Sequence, residues 1–299
     1  MAETKAASWA WRPMRRYRHR RDLRNADVGF TSANVCRAVS PIDLAPGPSP
    51  SLRFPRTGPY DERLGYTALP TFLERLIAQN YTIAQQARLS PSLQQTLAWG
   101  LFPVYDEKTQ AGLRIRGRHN EPIFTALHPT RIYLRFEDIP KLIVDTLLFI
   151  ENRELLNPDY PQRNPVVEWD RLAQAIWDVT RQIIAPDDNA AGGSTLATQL
   201  EKLRHSRDGR TDTAKEKLRQ MLTASLRAYR YGQNTLAAQR DIILNYFNAI
   251  PLAAQADYDE VHSLGDGLWA WYGSDFAHTN RVLAEPVPVH TRDRDHLST

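Results

Sequence analysis

The residues best placed to do chemistry form one run, Gly192-Gly193-Ser194-Thr195-Leu196-Ala197-Thr198-Gln199-Leu200-Glu201-Lys202. Two glycines let the backbone turn where a side chain would clash. Ser194 or Thr195 can then cap a helix, accepting from first-turn N–H groups that have no partner. Thr195, Thr198, Gln199 and Lys202 follow at spacings that put them near one face of that helix. A helix amino end beside two glycines, with a lysine two turns on, suits a phosphate-bearing ligand. The Gly-Lys-Ser/Thr ending of a P-loop is missing, which argues against a nucleoside triphosphate. Taken alone, the run is better read as a loop with an ordinary helix N-cap.

Three further segments carry candidate groups. Glu151 closes an apolar run over 139–150, within Phe149-Ile150-Glu151-Asn152-Arg153. A carboxylate at the edge of an apolar segment can have a raised pKa, which suits a general base, although a Glu at a helix end is more often solvated or capping. Glu216-Lys217-Leu218-Arg219-Gln220-Met221-Leu222-Thr223-Ala224 has the pattern of an amphipathic helix, with Arg219, Arg227 and Arg230 on its other face. Ile242-Ile243-Leu244-Asn245-Tyr246-Phe247-Asn248 is followed, about sixteen residues on, by Gly265-Asp266-Gly267-Leu268-Trp269. The acidic run Asp257-Tyr258-Asp259-Glu260 between them reads as a surface loop.

In this order the four segments resemble the motifs of the peptidoglycan glycosyltransferases, the family-51 enzymes that polymerise lipid II. The Gly192–Lys202 run resembles Gly-Gly-Ser-Thr-x-Thr-Gln-Gln-Leu-x-Lys, with Ala197 and Thr198 in place of Thr and Gln. Leu148–Leu155 resembles a motif with Glu-Asp-Arg at its core; Glu151 falls on its catalytic Glu, Asn152 replaces Asp, and Leu155 and Leu156 replace aromatics. Trp169-Asp170 resembles the later Gly-Ile-Asp position. The third motif, Arg-Lys-x-x-Glu-x-x-x-Ala, matches at Lys217 and Ala224, with Gln220 in place of the Glu. An amide hydrogen-bonds but does not take up a proton as a carboxylate does. The fourth, Ile-Leu-Glu-x-Tyr-x-Asn, matches at Tyr246 and Asn248, with Leu244 for the Glu. The likeness spans about residues 112–276.

The resemblance implies a mainly α, lysozyme-like bilobal glycosyltransferase domain, preceded by a small β element and a disordered basic, Pro-rich N-terminus. It implies Glu151 as the base that deprotonates an acceptor sugar hydroxyl, with Gln220 at the other catalytic position. Gly193, Ser194, Thr195, Gln199, Lys202, Lys217 and Asn248 would bind the lipid-linked sugar and its pyrophosphate. A divalent cation such as Mg²⁺ is the expected helper at the diphosphate. The partners implied are lipid II, the growing glycan strand and a membrane surface. The work would be done in the cell envelope, at the periplasmic face of the cytoplasmic membrane. The alternative is a catalytically impaired or truncated relative that binds glycan or a cell-wall partner without turnover; Gln220 and the short polar C-terminus point that way. A glycan-cleaving hydrolase on a lysozyme-like fold is a nearby enzyme alternative, against which Gln199 and Lys202 in their motif weigh.

The elements that must position these groups are mostly helical. Residues 69–100 read as helices, with Phe72, Leu73, Leu76 and Ile77 as an apolar stripe, a start at Ser90-Pro91 and a stop at Gly100. Residues 111–135 alternate as strands around a turn at Arg118-His119-Asn120-Glu121. Segments 138–151, 168–184, 195–206, 212–231 and 235–249 have helical periodicity, with Leu218, Leu222, Leu226 and Tyr229 as one apolar stripe. The organisation expected is a disordered arm over 1–58, a helical and β packing region over 59–137, a glycosyltransferase-like domain over 138–276 and a disordered tail over 277–299.

Composition narrows the classes further. At 42% hydrophobic residues, the 299-residue chain can build a core. The net charge of +4 hides an arm: residues 1–25 have eight Arg and Lys against Glu3 and Asp22, or +6, leaving −2 for the rest. That near-neutral remainder argues against a nucleic-acid binder, so no nucleic-acid partner is expected. Pro41, Pro46, Pro48, Pro50 and Pro55 break helix and sheet patterns after the arm. Cys36 is the single cysteine, so there is no internal disulfide and no cysteine-based metal site, and no metal ligands are assigned. No apolar run reaches the roughly 18 residues of a membrane span, and no apolar stretch follows the basic start as in a signal peptide.

Overall fold

Ser90, Thr195, Thr213, Ser263 and Asp275 each accept a hydrogen bond from the backbone N–H three residues on. Each thereby satisfies a donor that the first turn of a helix would leave bare. These caps start five of the helices in the computed structural model, which describes residues 43–50, 58–166, 195–206, 209–211 and 213–285. In chain order the elements are β1 (Asp43–Pro46), α1 (Pro59–Arg63), α2 (Leu69–Ala78), β2 (Gln85–Arg88), α3 (Pro91–Ala98), β3 (Ala111–Arg116), β4 (Pro122–His128), α4 (Lys141–Glu151), α5 (Leu196–His205), α6 (Ala214–Ala228), α7 (Leu236–Ala249), α8 (Leu264–Tyr272) and α9 (Phe276–Ala284). The described chain is mainly α, with two two-stranded sheets, β1–β2 and β3–β4.

The chain divides into two units. The first takes described residues from 43–127 and 155–242. Its core contains Tyr60, Leu64, Leu93, Phe102, Val104, Leu196, Leu200, Ala224 and Ala228. There α5 packs on α1 and on α6. The second unit takes 128–154 and described residues from 243 onward. Tyr133, Ile139, Val144, Ile243, Phe247 and Val261 are buried in it, and α9 packs on α4 and α8.

The helix starts at Pro91 and after Thr195 fall where the sequence puts them, and β3–β4 is the expected strand pair, although it ends at His128 and the rest of the 111–135 stretch is not strand. Gly117 N donates to Glu121 O at 2.8 Å to close its turn. Several expectations are corrected. Within 79–90 the chain is not helical, because Gln85–Arg88 forms β2 and pairs antiparallel with β1, Asp43 opposite Arg88 and Pro46 opposite Gln85. β1 lies inside the Pro-rich stretch read as breaking sheet patterns. A two-stranded sheet tolerates this because each strand keeps an unpaired edge, where a missing proline N–H costs nothing. Arg88 fastens the pair by donating to the carbonyls of Pro46 and Pro48, at 3.0 and 2.6 Å. The stripe of α2 is only partly covered: Leu73 and Leu76 are half-buried, and Phe72 and Ile77 are exposed. The segment after Phe276, read as tail, holds α9, capped by Asp275. The helix expected over 168–184, the basic arm, and Pro286 and Pro288 lie outside the described residues.

The Leu218–Leu222 stripe of α6 faces outward. The residues of α6 that are buried are Gln220, Thr223, Ala224 and Ala228. The cause lies in α5, which turns Glu201 and Arg204 toward its neighbours, so the matching face of α6 is small and polar.

Candidate active site

Of the two caps open in the sequence, Thr195 serves α5. Its Oγ1 accepts from Thr198 N at 3.4 Å and donates to Val166 O at 3.3 Å. Thr195 and Thr198 are both buried, and Thr198 Oγ1 donates to Thr195 O at 2.9 Å. Thr195, Thr198, Gln199 and Lys202 are therefore not equally presented. Gln199 and Lys202, one turn apart, are half-buried, while the two threonines are consumed by the helix start. Gly192, Gly193 and Ser194 lie outside the described residues, as does Trp169-Asp170.

On α6, Thr213 Oγ1 accepts from Glu216 N at 3.1 Å, and Lys217 in the first turn is exposed. Gln220, one turn further, points inward and is buried. Its amide nitrogen donates to Ser206 Oγ at 2.7 Å, and Thr211 Oγ1 donates to its oxygen at 3.1 Å. The amide thus ties α6 to the residue after α5 and to the following turn.

In the second unit Glu151 is the last residue of α4 and is half-buried. Asn152 caps the helix end, its N–H donating to Leu148 O at 3.1 Å. Phe149 and Ile150 beside it are exposed. Burial, joined by the negative charge of Glu151, pushes the Tyr246 phenol up from its ordinary range.

Asn248, at the end of α7, brackets the peptide of Tyr133. Its Oδ1 accepts from Tyr133 N at 2.9 Å, and its Nδ2 donates to Tyr133 O at 2.7 Å. Asp266, wholly buried in α8, accepts from Thr130 N at 2.8 Å and Arg131 N at 2.9 Å, and pairs with the Arg131 guanidinium at 3.2 Å. Ser263 Oγ donates to Arg131 O at 2.9 Å. Gly265 is required close by, because a Cβ there would lie 2.6 Å from Arg131 O. The strap over 130–133 that leads into α4 is therefore held at every residue but Ile132. Arg131 also lies over the Trp269 ring at 4.2 Å, a cation–π contact. The stretch between Asn248 and Gly265 folds back on itself, Leu252 N donating to Val261 O at 2.8 Å, and Asp257, Asp259 and Glu260 are exposed as expected of a surface loop.

Sequence reasoning misses one group entirely: a buried ion cluster in the first unit. Arg204 Nε meets Glu107 Oε2 at 2.6 Å and Arg204 Nη1 meets Glu201 Oε1 at 2.8 Å. Arg227 Nε meets the same Glu201 oxygen at 2.6 Å, and its Nη1 donates to Tyr105 O at 2.6 Å. Burial pushes the Glu201 carboxyl up, but Arg227, Arg204 and His205 outweigh it and bring it down to about 2. The signal was present as Glu201, Arg204 and His205 at spacings of one helical turn, beside buried Leu196 and Leu200.

Residues 119–283 match the family model described as Transglycosylase, a span of more than half the chain. The chain belongs to this family: it carries a peptidoglycan transglycosylase domain. No curated protein matches the chain. The family match begins in the β3–β4 turn and ends within α9, so it takes in the Glu151, Lys202, Lys217 and Asn248 segments together.

Proposed function

We propose that this protein polymerises the lipid-linked disaccharide-peptide lipid II into glycan strands, releasing undecaprenyl pyrophosphate. The observation that carries this proposal is the α5 segment, where the motif's Gln199 and Lys202 stand half-buried one turn apart on a helix capped by Thr195. Glu151 accepts the proton of the acceptor's 4-hydroxyl, whose oxygen attacks the anomeric carbon of the donor sugar. As that bond forms, the bond from the anomeric carbon to the diphosphate oxygen breaks. The electron pair leaves on the diphosphate and the anomeric centre inverts. The cations Lys202 and Lys217, with the amino end of α5, Gly193 and Ser194, stabilise the departing charge. Asn248 serves by holding the Tyr133 peptide, and Gln220 by tying α6 to α5.

A divalent ion such as Mg²⁺ would supply further positive charge at the diphosphate. Among the described residues no three His, Cys, Asp or Glu side chains are grouped to hold a metal. Mg²⁺ is commonly bound through substrate phosphates rather than an all-protein cage, so the substrate oxygens would be its main ligands. A lysozyme-like bilobal arrangement, the domain limits expected from the sequence, and action at the periplasmic membrane face belong to the same proposal.

One observation favours a second reading, a relative that binds glycan or lipid II without turnover. Gln220 stands where the family has a Glu, and its buried amide is engaged on both sides. The two separate when labelled lipid II is incubated with the purified protein in detergent with Mg²⁺. Glycan polymer, with KM raised by Lys202→Ala and Lys217→Ala, supports the transferase. Binding of lipid II with no polymer supports the second reading.

A further inference from the structure

His205 lies buried at the end of α5, with a carboxylate beside each ring nitrogen. Nδ1 is 3.9 Å from Asp61 Oδ2 on α1, and Nε2 is 3.6 Å from Glu201 Oε2 one turn back on its own helix. Both carboxylates are about 1% exposed. Glu201 gives its other oxygen to Arg204 and Arg227, so Oε2 has no hydrogen bond, and neither oxygen of Asp61 has one. A neutral imidazole has one N–H and one lone pair, so it would turn a lone pair toward one of these oxygens. An imidazolium presents positive charge to both carboxylates at ion-pair distance, and Nε2, like the facing Glu201 Oε2, makes no hydrogen bond.

The charge balance agrees. Glu107, Arg204, Glu201 and Arg227 form a chain of two carboxylates and two guanidiniums. Asp61 is outside that chain, and His205 is its one ion-pair partner among the described residues. An unpaired carboxylate so deeply buried is costly. Burial pushes the Asp61 carboxyl up and His205 opposes it. The other groups around the cluster are the phenols of buried Tyr60 and half-buried Tyr66 and Tyr105, with Arg63 on α1 and Arg219 on α6. Arg219 stacks at 3.7 Å over the Phe102 ring, which in turn stacks on His205 at 4.6 Å.

We infer that His205, held as an imidazolium between Asp61 and Glu201, is a positioning residue that clamps α1 onto α5, the helix presenting Gln199 and Lys202. The contact is close. A Cβ on Gly58, just before α1, would lie 2.4 Å from Arg204 O, and Gly58 has φ +123°, so no other residue type seats α1 there without strain. Loss of the proton leaves Asp61 buried without a counter-charge and loosens α1 from α5. The clamp rests on the proposed function only for its consequence in catalysis. There, deprotonation raises KM for lipid II and leaves the Glu151 chemistry in place.

The test uses the full chain with His205→Gln and Asp61→Asn, each measured at pH about 5.5 and about 8.5, on either side of an ordinary imidazole. Thermal midpoints are compared as the difference between wild type and variant, which cancels the other histidines. The expected result is a wild-type midpoint that falls about 2–4 °C more than either variant's between the two pH values. ¹⁵N spectra of wild-type His205 at pH about 6 should show both ring nitrogens protonated, and this needs no variant to fold. A single-tautomer neutral ring at that pH, or the same pH response in wild type and Asp61→Asn, overturns the inference. Lipid II turnover, run beside these, should show KM rising with pH in wild type and staying level in Asp61→Asn. Absence of turnover at every pH rejects the transferase assignment while the midpoints and spectra still decide the clamp.

Discussion

Asn248 and Gln220 show how far a residue's type can be read without its surroundings. Both sit at motif positions, and both have amides buried and committed to holding other parts of the protein. Asn248→Ala strips partners from both the N–H and the C=O of Tyr133 in a buried place. It should lower stability by about 2–4 kcal/mol, read from denaturant unfolding, at two unsatisfied groups of about 1–3 kcal/mol each less what relaxation recovers. Gln220→Glu tests the family position directly. It replaces the amide donor to Ser206 with a buried carboxylate that has no cation among its hydrogen-bond partners, and should destabilise by about 1–3 kcal/mol without a gain in turnover. Higher turnover in this variant would mean that the lost Glu was the missing catalytic group. The sequence singles out these positions by resemblance to motifs. It does not reveal their partners, Tyr133 and Ser206, which lie 115 and 14 residues away.

At the level of elements, what is legible is local. The helix start at Ser90 and the turn after Gly117 are read directly, and the cap of α5 is narrowed to Ser194 or Thr195, because each is decided within four residues by hydrogen bonds the sequence spells out. The faces of α2 and α6 are misread because a leucine stripe says only that a helix is amphipathic. Which side is covered depends on the neighbour, and α5 offers α6 a charged side. β1 and β2 are missed because 45 positions separate Asp43 from its partner Arg88, among prolines and glutamines with no alternation to notice. The α5–α6 contact makes its own prediction. Glu201 has its carboxyl held to about 2, below the ordinary 4.5. A lowered folded-state pKa gives stability that is present above the ordinary value and is lost as pH falls from about 4.5 through about 2. Glu201→Gln should therefore flatten the acid limb of the stability curve. Glu201→Ala, which leaves Arg204 short of a partner, should cost about 3–5 kcal/mol near neutral pH. An acid limb of unchanged steepness in Glu201→Gln would show that the pair contributes nothing to folding.

For the whole molecule, family membership rests on the match over residues 119–283. Among the described residues no helix is long and apolar enough to cross a membrane. The proposed substrate is nevertheless lipid-linked, so the assay supplies it in micelles. In the proposed reaction one carboxylate, Glu151, takes the proton, and Lys202, Lys217 and the amino end of α5 hold the diphosphate. General-base catalysis is typically worth about 10²–10⁴-fold. The most direct measurement is polymerisation of labelled lipid II by the wild-type protein and by Glu151→Gln, with lipid II affinity determined for both. Polymer from the wild type, a loss of at least about 10²-fold in the variant, and binding that stays the same are expected. Polymer formed equally well by both proteins would contradict this role of Glu151.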